Sequence, residues 1–249
     1  MAFPSTYRKG DVPAEIYHRQ AKGEMPIPRK ELSLCRFIRS IRITDGNFDR
    51  LASDSGALLT FVVAGKLELT LGTGETIQLA PGHMFLTDDY VASHITAVAR
   101  DNCRLVQIGV APDWPGADAK LHPPGTMTPY RETKVKRFYT GEDNRTYFRE
   151  FPEAFSSLSN EWSAPRPANG FHFLCWEDGF IDLHPEVVNN FTVFLSGELG
   201  VEVGGDRKSE IFHAGDICLA TDRTGEGHIT WCRGVTHVAI MVMSTENLW

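Results

Sequence analysis

Polar and apolar residues alternate along two separate stretches of the chain. Leu67, Leu69 and Leu71 alternate with Lys66, Glu68 and Thr70, and Val201 and Val203 alternate with Gly200 and Glu202. A period of two predicts strands with one face buried. The two stretches also repeat each other in detail. One reads Thr60-Phe-Val-Val-Ala-Gly65-Lys-Leu-Glu-Leu, then Leu79-Ala-Pro-Gly82-His-Met-Phe-Leu-Thr-Asp-Asp89, then His94-Ile-Thr96. The other reads Thr192-Val-Phe-Leu-Ser-Gly197-Glu-Leu-Gly-Val, then Phe212-His-Ala-Gly215-Asp-Ile-Cys-Leu-Ala-Thr-Asp222, then His228-Ile-Thr230. Gly65 answers Gly197, Gly82 answers Gly215, Asp89 answers Asp222 and His94 answers His228, at offsets of 132 to 134 residues. Such a repeat is one supersecondary unit used twice. Gly65 and Gly197 are expected in tight turns between strands, where φ is positive. Ala80-Pro-Gly82 and Ala214-Gly-Asp216 are further turns. Strands at intervals of about ten residues with little helix signal predict an all-β sandwich or small barrel.

This layout resembles the cupin superfamily. The resemblance rests on a turn glycine, a second strand, a Gly-Asp turn, and a loop ending in histidine. The first cupin motif is His-x-His, three or four residues, Glu, six residues, Gly. Counting back from Gly197 puts Asn190 at the Glu position, Glu186 at the second His and His184 at the first. Gly215 leads to His228, two residues later than usual, with Thr221 in place of the motif proline. The C-terminal half is also similar to a group of short single-domain cupins. It shares with them His184-Pro185, Leu195-Ser-Gly-Glu-Leu199, Gly215-Asp216 and Asp222-Arg-Thr-Gly-Glu-Gly-His228. The resemblance covers residues 134–245 well and residues 55–110 more loosely. It implies a bicupin: two tandem jelly-roll barrels, each a double-stranded β-helix.

The implied organisation is an N-terminal arm at 1–30, a first barrel at 31–110, a proline-rich linker at 111–133 and a second barrel at 134–249. The linker reading rests on Pro112, Pro115, Pro123, Pro124 and Pro129, since proline removes donors and stiffens a chain. Phe151–Leu158 is expected as a short helix and Asn160–Asn169 as a loop before a strand at Phe171–Trp176.

On the cupin pattern, Asn190 faces the barrel interior. Strand alternation then puts Thr192 and Phe194 on its face, and Thr230 on that of His228. The resemblance thus implies a site made of His184, Glu186, Asn190 and His228. Two imidazoles and one carboxylate form a ligand set for Fe, Mn, Ni or Zn. Glu186 converges on the histidines only if its segment is extended, which Pro185 favours. Thr192, Thr230, Phe194 and His172 are candidates to touch substrate. His184, His228 and Asn190 are the candidate catalytic groups, and without metal a histidine would serve as acid or base. The first barrel carries Ala52, Asp54 and Leu58 in the corresponding positions, and no metal is expected there. His83 and His213, beside the turn glycines, are expected in solvent, and His237 on the surface.

Composition narrows the functional classes. The net charge of −7 over 249 residues argues against a nucleic-acid partner. No apolar run reaches the roughly 20 residues of a membrane span. The N-terminus lacks the apolar stretch of a signal peptide. Five cysteines without a CxxC spacing suggest free thiols in a reducing cytoplasm. Two function classes stay open. One is a small-molecule enzyme of oxygenase, isomerase, cyclase or lyase type, the range that the cupin resemblance implies. The other is a non-catalytic bicupin that binds a small ligand. Either is compatible with a homodimer.

Overall fold

A computed structural model describes residues 33–49, 51, 57–72, 74–87, 95–110 and 132–244. The first half contains β1 (Cys35–Arg42), β2 (Gly46–Phe48), β3 (Leu58–Thr70), β4 (Thr76–Leu79), β5 (Met84–Thr87) and β6 (Thr96–Val110). The second contains β7 (Val135–Thr140), β8 (Thr146–Glu150), β9 (Arg166–Trp176), β10 (Ile181–His184), β11 (Asn190–Val203), β12 (Ser209–Phe212), β13 (Ile217–Thr221) and β14 (His228–Met243). The arm at 1–30 and linker residues 111–131 lie outside the described residues, as do Ala52, Asp54, Asp89 and His94. Phe151–Leu158 contributes only a 3-10 turn at Pro152–Ala154, and β9 starts earlier than expected, at Arg166.

Two long strands form the spine of each half. β3 pairs with β6 and β11 with β14, both antiparallel. The first part of β3 pairs with β5 and its second part with β4; β11 divides itself between β13 and β12 in the same way. Each spine thus passes from one sheet of its barrel to the other. The change occurs at Gly65 (φ +66) and Gly197 (φ +79), where the strand register shifts. The sequence reading of these glycines as turns between strands is corrected here: they lie inside continuous strands. A β-bulge with positive φ bends the strand there without ending it. A Cβ on Gly197 would meet the Val235 carbonyl at 2.5 Å.

The two barrels join edge to edge and face to face. β1 and β9 pair antiparallel, Phe37 opposite Pro167 and Ile38 opposite Arg166. Outward-facing Leu59, Phe61, Val106 and Ile108 of the first barrel share one core with Phe171, Phe173, Phe191 and Val193 of the second. Around this core the turn glycines cross over. Gly82 donates to the Val62 carbonyl while its Cβ position faces the Leu195 carbonyl at 2.3 Å. Gly215 donates to the Phe194 carbonyl while its Cβ position faces the Val63 carbonyl at 2.4 Å. These reciprocal contacts follow the sequence repeat and define a pseudo-two-fold relation. Each barrel has its own interior core too: Val62, Leu67, Phe85 and Leu105 in the first, Leu174, Phe194, Phe212 and Ile240 in the second. Among the described residues no helix is long and apolar enough to cross a membrane, and all five cysteines are buried, none in a disulfide.

Candidate metal centre in the second barrel

β10 and β14 pair so that His184 stands directly opposite His228. Their ring centroids are 4.7 Å apart. Pro185 ends β10 without folding the chain back, and the Glu186 amide then donates to the Asp222 carbonyl at 3.1 Å. That hydrogen bond holds the segment extended, and Glu186 turns inward beside the histidines. One donor atom from each of His184, Glu186 and His228 lies within 4.8 Å of the other two. Among the described residues no other such group occurs.

A carboxylate stands behind each imidazole, and that behind His228 is hydrogen-bonded to it. Nδ1 of His228 is hydrogen-bonded to Oδ2 of Asp222 at 2.8 Å, and the same oxygen accepts from the Thr146 hydroxyl at 3.1 Å. Nδ1 of His184 lies 3.0 Å from Oδ2 of Asp182, near enough for an ion pair but without the geometry of a hydrogen bond. With Nδ1 of His228 engaged, its Nε2 is the free donor. This is the arrangement in which a carboxylate fixes the tautomer and orientation of a metal-binding histidine. The glycines of the 222–228 loop make it possible. Gly227 (φ +74) lies so near β10 that a Cβ would sit 2.2 Å from the His184 carbonyl.

Asn190, first residue of β11, donates from Nδ2 to Oε2 of Glu186 at 2.6 Å. Its Oδ1 is buried without a partner. Asn190 therefore steadies the carboxylate and leaves an acceptor facing the site.

The electrostatics suit a cation. Burial pushes the Glu186 carboxyl up to about 7, with Asp222 adding to the rise while His228 and the Asn190 hydrogen bond oppose it. Burial pulls His184 down to about 3, helped by the charge of His228. Burial also opposes the imidazolium of His228, but the Asp222 hydrogen bond and charge, with Glu186 and Asp182, outweigh it and raise its pKa. Three carboxylates thus surround a buried point where, among the described residues, only His228 readily carries positive charge. A divalent ion would offset this excess. The residues present fit the group: two imidazole nitrogens, one carboxylate and a spare amide oxygen.

The other expected site residues divide by position. Thr192 and Thr230 are buried in the second barrel. His172 is buried on β9 with both ring nitrogens unpartnered, and burial lowers its pKa to about 3. Phe194 faces inward but stacks on Phe212 with centroids 4.8 Å apart, inside the apolar core. It forms part of the apolar lining of the barrel. The expectation that His83 lies in solvent is corrected: it is buried and burial lowers its pKa to about 4, because its turn packs against the second barrel. His213 is half-buried, 3.7 Å from Glu198, and His237 shares a 2.8 Å hydrogen bond with Ser196. In the first barrel, Leu58 occupies the position of Asn190 and is buried. Asp182 and Asp222 went unassigned in the sequence. Alternation pointed to Asp182, two residues before His184, and the repeat marked Asp222, but neither signal gives a partner.

Fold and site together define two β-barrels of one strand topology, with a His/Glu/His cluster in the second. No family model matches the chain, and no curated protein does. The solved structures that it is similar to include a cupin 2 conserved barrel domain protein from Leptotrichia buccalis, at 13% identity and a TM-score of 0.40, covering 92% of this chain and 94% of that one. A protein from Pseudomonas syringae is similar at 10% identity and a TM-score of 0.40, over 83% of this chain and 82% of that one. The oxalate decarboxylase of Lactobacillus farciminis, in a formate complex, is similar at 13% identity and a TM-score of 0.31, over 84% and 77%. Likenesses this distant say nothing of reaction or substrate.

Proposed function

We propose that the second barrel is the site of a metal-assisted enzyme acting on a compact, oxygen-bearing organic molecule. His184, Glu186 and His228 would hold one divalent transition ion. The observation that carries this reading is the convergence of their donor atoms within 4.8 Å, with an aspartate behind each imidazole. An ion held there would supply Lewis-acid polarisation of a substrate oxygen, the chemistry that an oxygenase, isomerase, cyclase or lyase would use.

The chain's own residues supply orientation. Asp222 keeps Nε2 of His228 turned to the site, and the Asp182 carboxylate stands 3.0 Å from His184. Asn190 restrains Glu186 through Nδ2 and offers Oδ1 to a substrate hydroxyl or acid proton. Thr192, Thr230 and the neutral imidazole of His172 give polar contacts above an apolar floor of Phe194 and Phe212, which excludes water. Metal analysis of purified wild type beside Glu186→Gln tests the reading. Near-stoichiometric metal in the first and little in the second supports it. Equal or absent metal in both would favour a metal-free pocket in which the Asp222–His228 pair acts as a base or merely binds.

A further inference from the structure

The pseudo-two-fold relation lets the interiors of the two barrels be compared layer by layer. In the second barrel, His172, Ile240 and Thr192 are cross-strand neighbours on β9, β14 and β11. The equivalent neighbours in the first barrel are Arg39, Gln107 and Thr60 on β1, β6 and β3. The layer beneath the metal ligands in one barrel thus corresponds to a layer with a guanidinium in the other.

That layer is built as a site. Gln107 and Thr60 are fully buried. Gln107 Nε2 donates to the Thr60 hydroxyl at 2.9 Å and to the Leu51 carbonyl at 3.2 Å. Its amide orientation is therefore fixed, and Oε1 faces Arg39. Oε1 accepts from both Nε and Nη2 of Arg39, at 2.9 and 2.5 Å. The guanidinium plane is further held by the Trp162 ring, 4.4 Å away, and by Phe37 at 5.6 Å. Trp162 comes from the second half of the chain. Residues 160–163 run along β1, with Ser163 donating to the Ser40 carbonyl and Asn160 to the Arg42 carbonyl.

Charge is what this arrangement leaves unmatched. Among the described residues no carboxylate touches Arg39, and burial alone draws its pKa down. Arg39 is half-buried, and a guanidinium held this firmly without a carboxylate beside it is suited to an anion. Gln107 uses the Nε side of the fork with a single oxygen, so the Nη1–Nη2 end keeps two parallel donors. That spacing matches the two oxygens of a carboxylate.

We propose that the first barrel binds a small carboxylate, held end-on by Arg39 between Trp162 and Phe37. The site is independent of the metal reading for the second barrel. Leu58 takes the place of a metal-side polar residue there, and a fixed positive charge takes over the task of holding an anion.

Calorimetry on the full chain, with malonate and benzoate as probes and inorganic phosphate as comparison, tests this directly. One carboxylate should saturate below about 10 mM and bind at least about tenfold more weakly to Arg39→Gln. Gln107→Glu places a carboxylate on the guanidinium from within, and should raise the melting temperature while abolishing carboxylate binding. This second variant keeps the test decisive should Arg39→Gln fail to fold. Binding should change the fluorescence of the wild type but not of Trp162→Phe, and it should persist in Glu186→Gln. The proposal is overturned if no carboxylate binds, if Arg39→Gln or Gln107→Glu binds as the wild type does, or if Glu186→Gln alone loses binding. Arg39-dependent binding of phosphate more tightly than either carboxylate would overturn the assignment of ligand class.

Discussion

Oδ2 of Asp222 stands 2.8 Å from Nδ1 of His228, and both side chains are buried. This pairing turns a histidine at the start of β14 into an oriented donor, with Nε2 aimed at His184 and Glu186. It also removes any choice of tautomer. The Asp222→Asn substitution keeps the shape but can donate to Nδ1 and so favour the wrong tautomer. We expect metal affinity to fall by about 10–100-fold in Asp222→Asn, measured by competition with a chelator of known strength. An unchanged affinity would mean that His228 is not a ligand through Nε2.

Glu186 carries a cost that its replacement should reveal. Its folded pKa of about 7 lies above the ordinary carboxylate value of about 4.3. Below the unfolded pKa the proton is bound in both states. As pH rises from there through 7, the folded state keeps a proton that the unfolded state has lost, and stability falls. In chelator-treated protein at pH 8, Glu186→Gln should therefore be more stable than wild type, by about 2 kcal/mol. Denaturant titration at pH 5 and pH 8 checks this, since the gain should shrink at the lower pH.

His172 should act in the opposite sense. Its folded pKa of about 3 lies below the unfolded value of about 6.5. The stability it contributes is complete above that value and is lost as pH falls towards 3, because the unfolded chain takes the proton first. Between pH 7.5 and pH 5, wild type should lose about 2 kcal/mol more than His172→Gln. Parallel losses in the two proteins would contradict the buried, neutral state of His172.

The 222–228 loop depends on the absence of a side chain at Gly227. Gly227→Ala forces a Cβ against the His184 carbonyl, 2.2 Å away at φ +74, and should cost about 1–3 kcal/mol together with metal affinity. Gly179→Ala has a similar φ of +78 but open space around the Cβ. It should cost less and leave metal binding intact. Thermal melts and chelator competition on both variants separate backbone strain from displacement of His184.

Much of the fold was legible because its outer sheets alternate. Lys66, Glu68 and Thr70 are partly exposed while Leu67 and Leu69 are buried, and that period-two signal located the repeat. The inner sheets gave no such signal. From Leu58 to Ala64 every residue of β3 is buried, since one face lines the barrel and the other lies in the core between barrels. A strand covered on both faces reads as a plain apolar run, so the pairing of the two barrels through β1 and β9 was hidden. For the site, motif spacing led to His184, Glu186, Asn190 and His228. It could not yield Asp182 and Asp222, whose places beside the imidazoles are set by strand pairing and by the path of the 222–228 loop, nor the bulges at Gly65 and Gly197, where continuity of the strand is a tertiary fact. Phe194 shares a face with Asn190, but facing inward did not distinguish the apolar floor from the polar mouth.

The central claim is that His184, Glu186 and His228 hold a divalent ion. Anomalous diffraction from crystals grown with Mn(II), recorded at a wavelength where manganese scatters strongly, tests it most directly. We predict one peak in the second barrel bounded by a nitrogen of each imidazole and a Glu186 oxygen, absent from Glu186→Gln crystals grown alike. A map without a peak there, or an equal peak in the variant, would contradict the account.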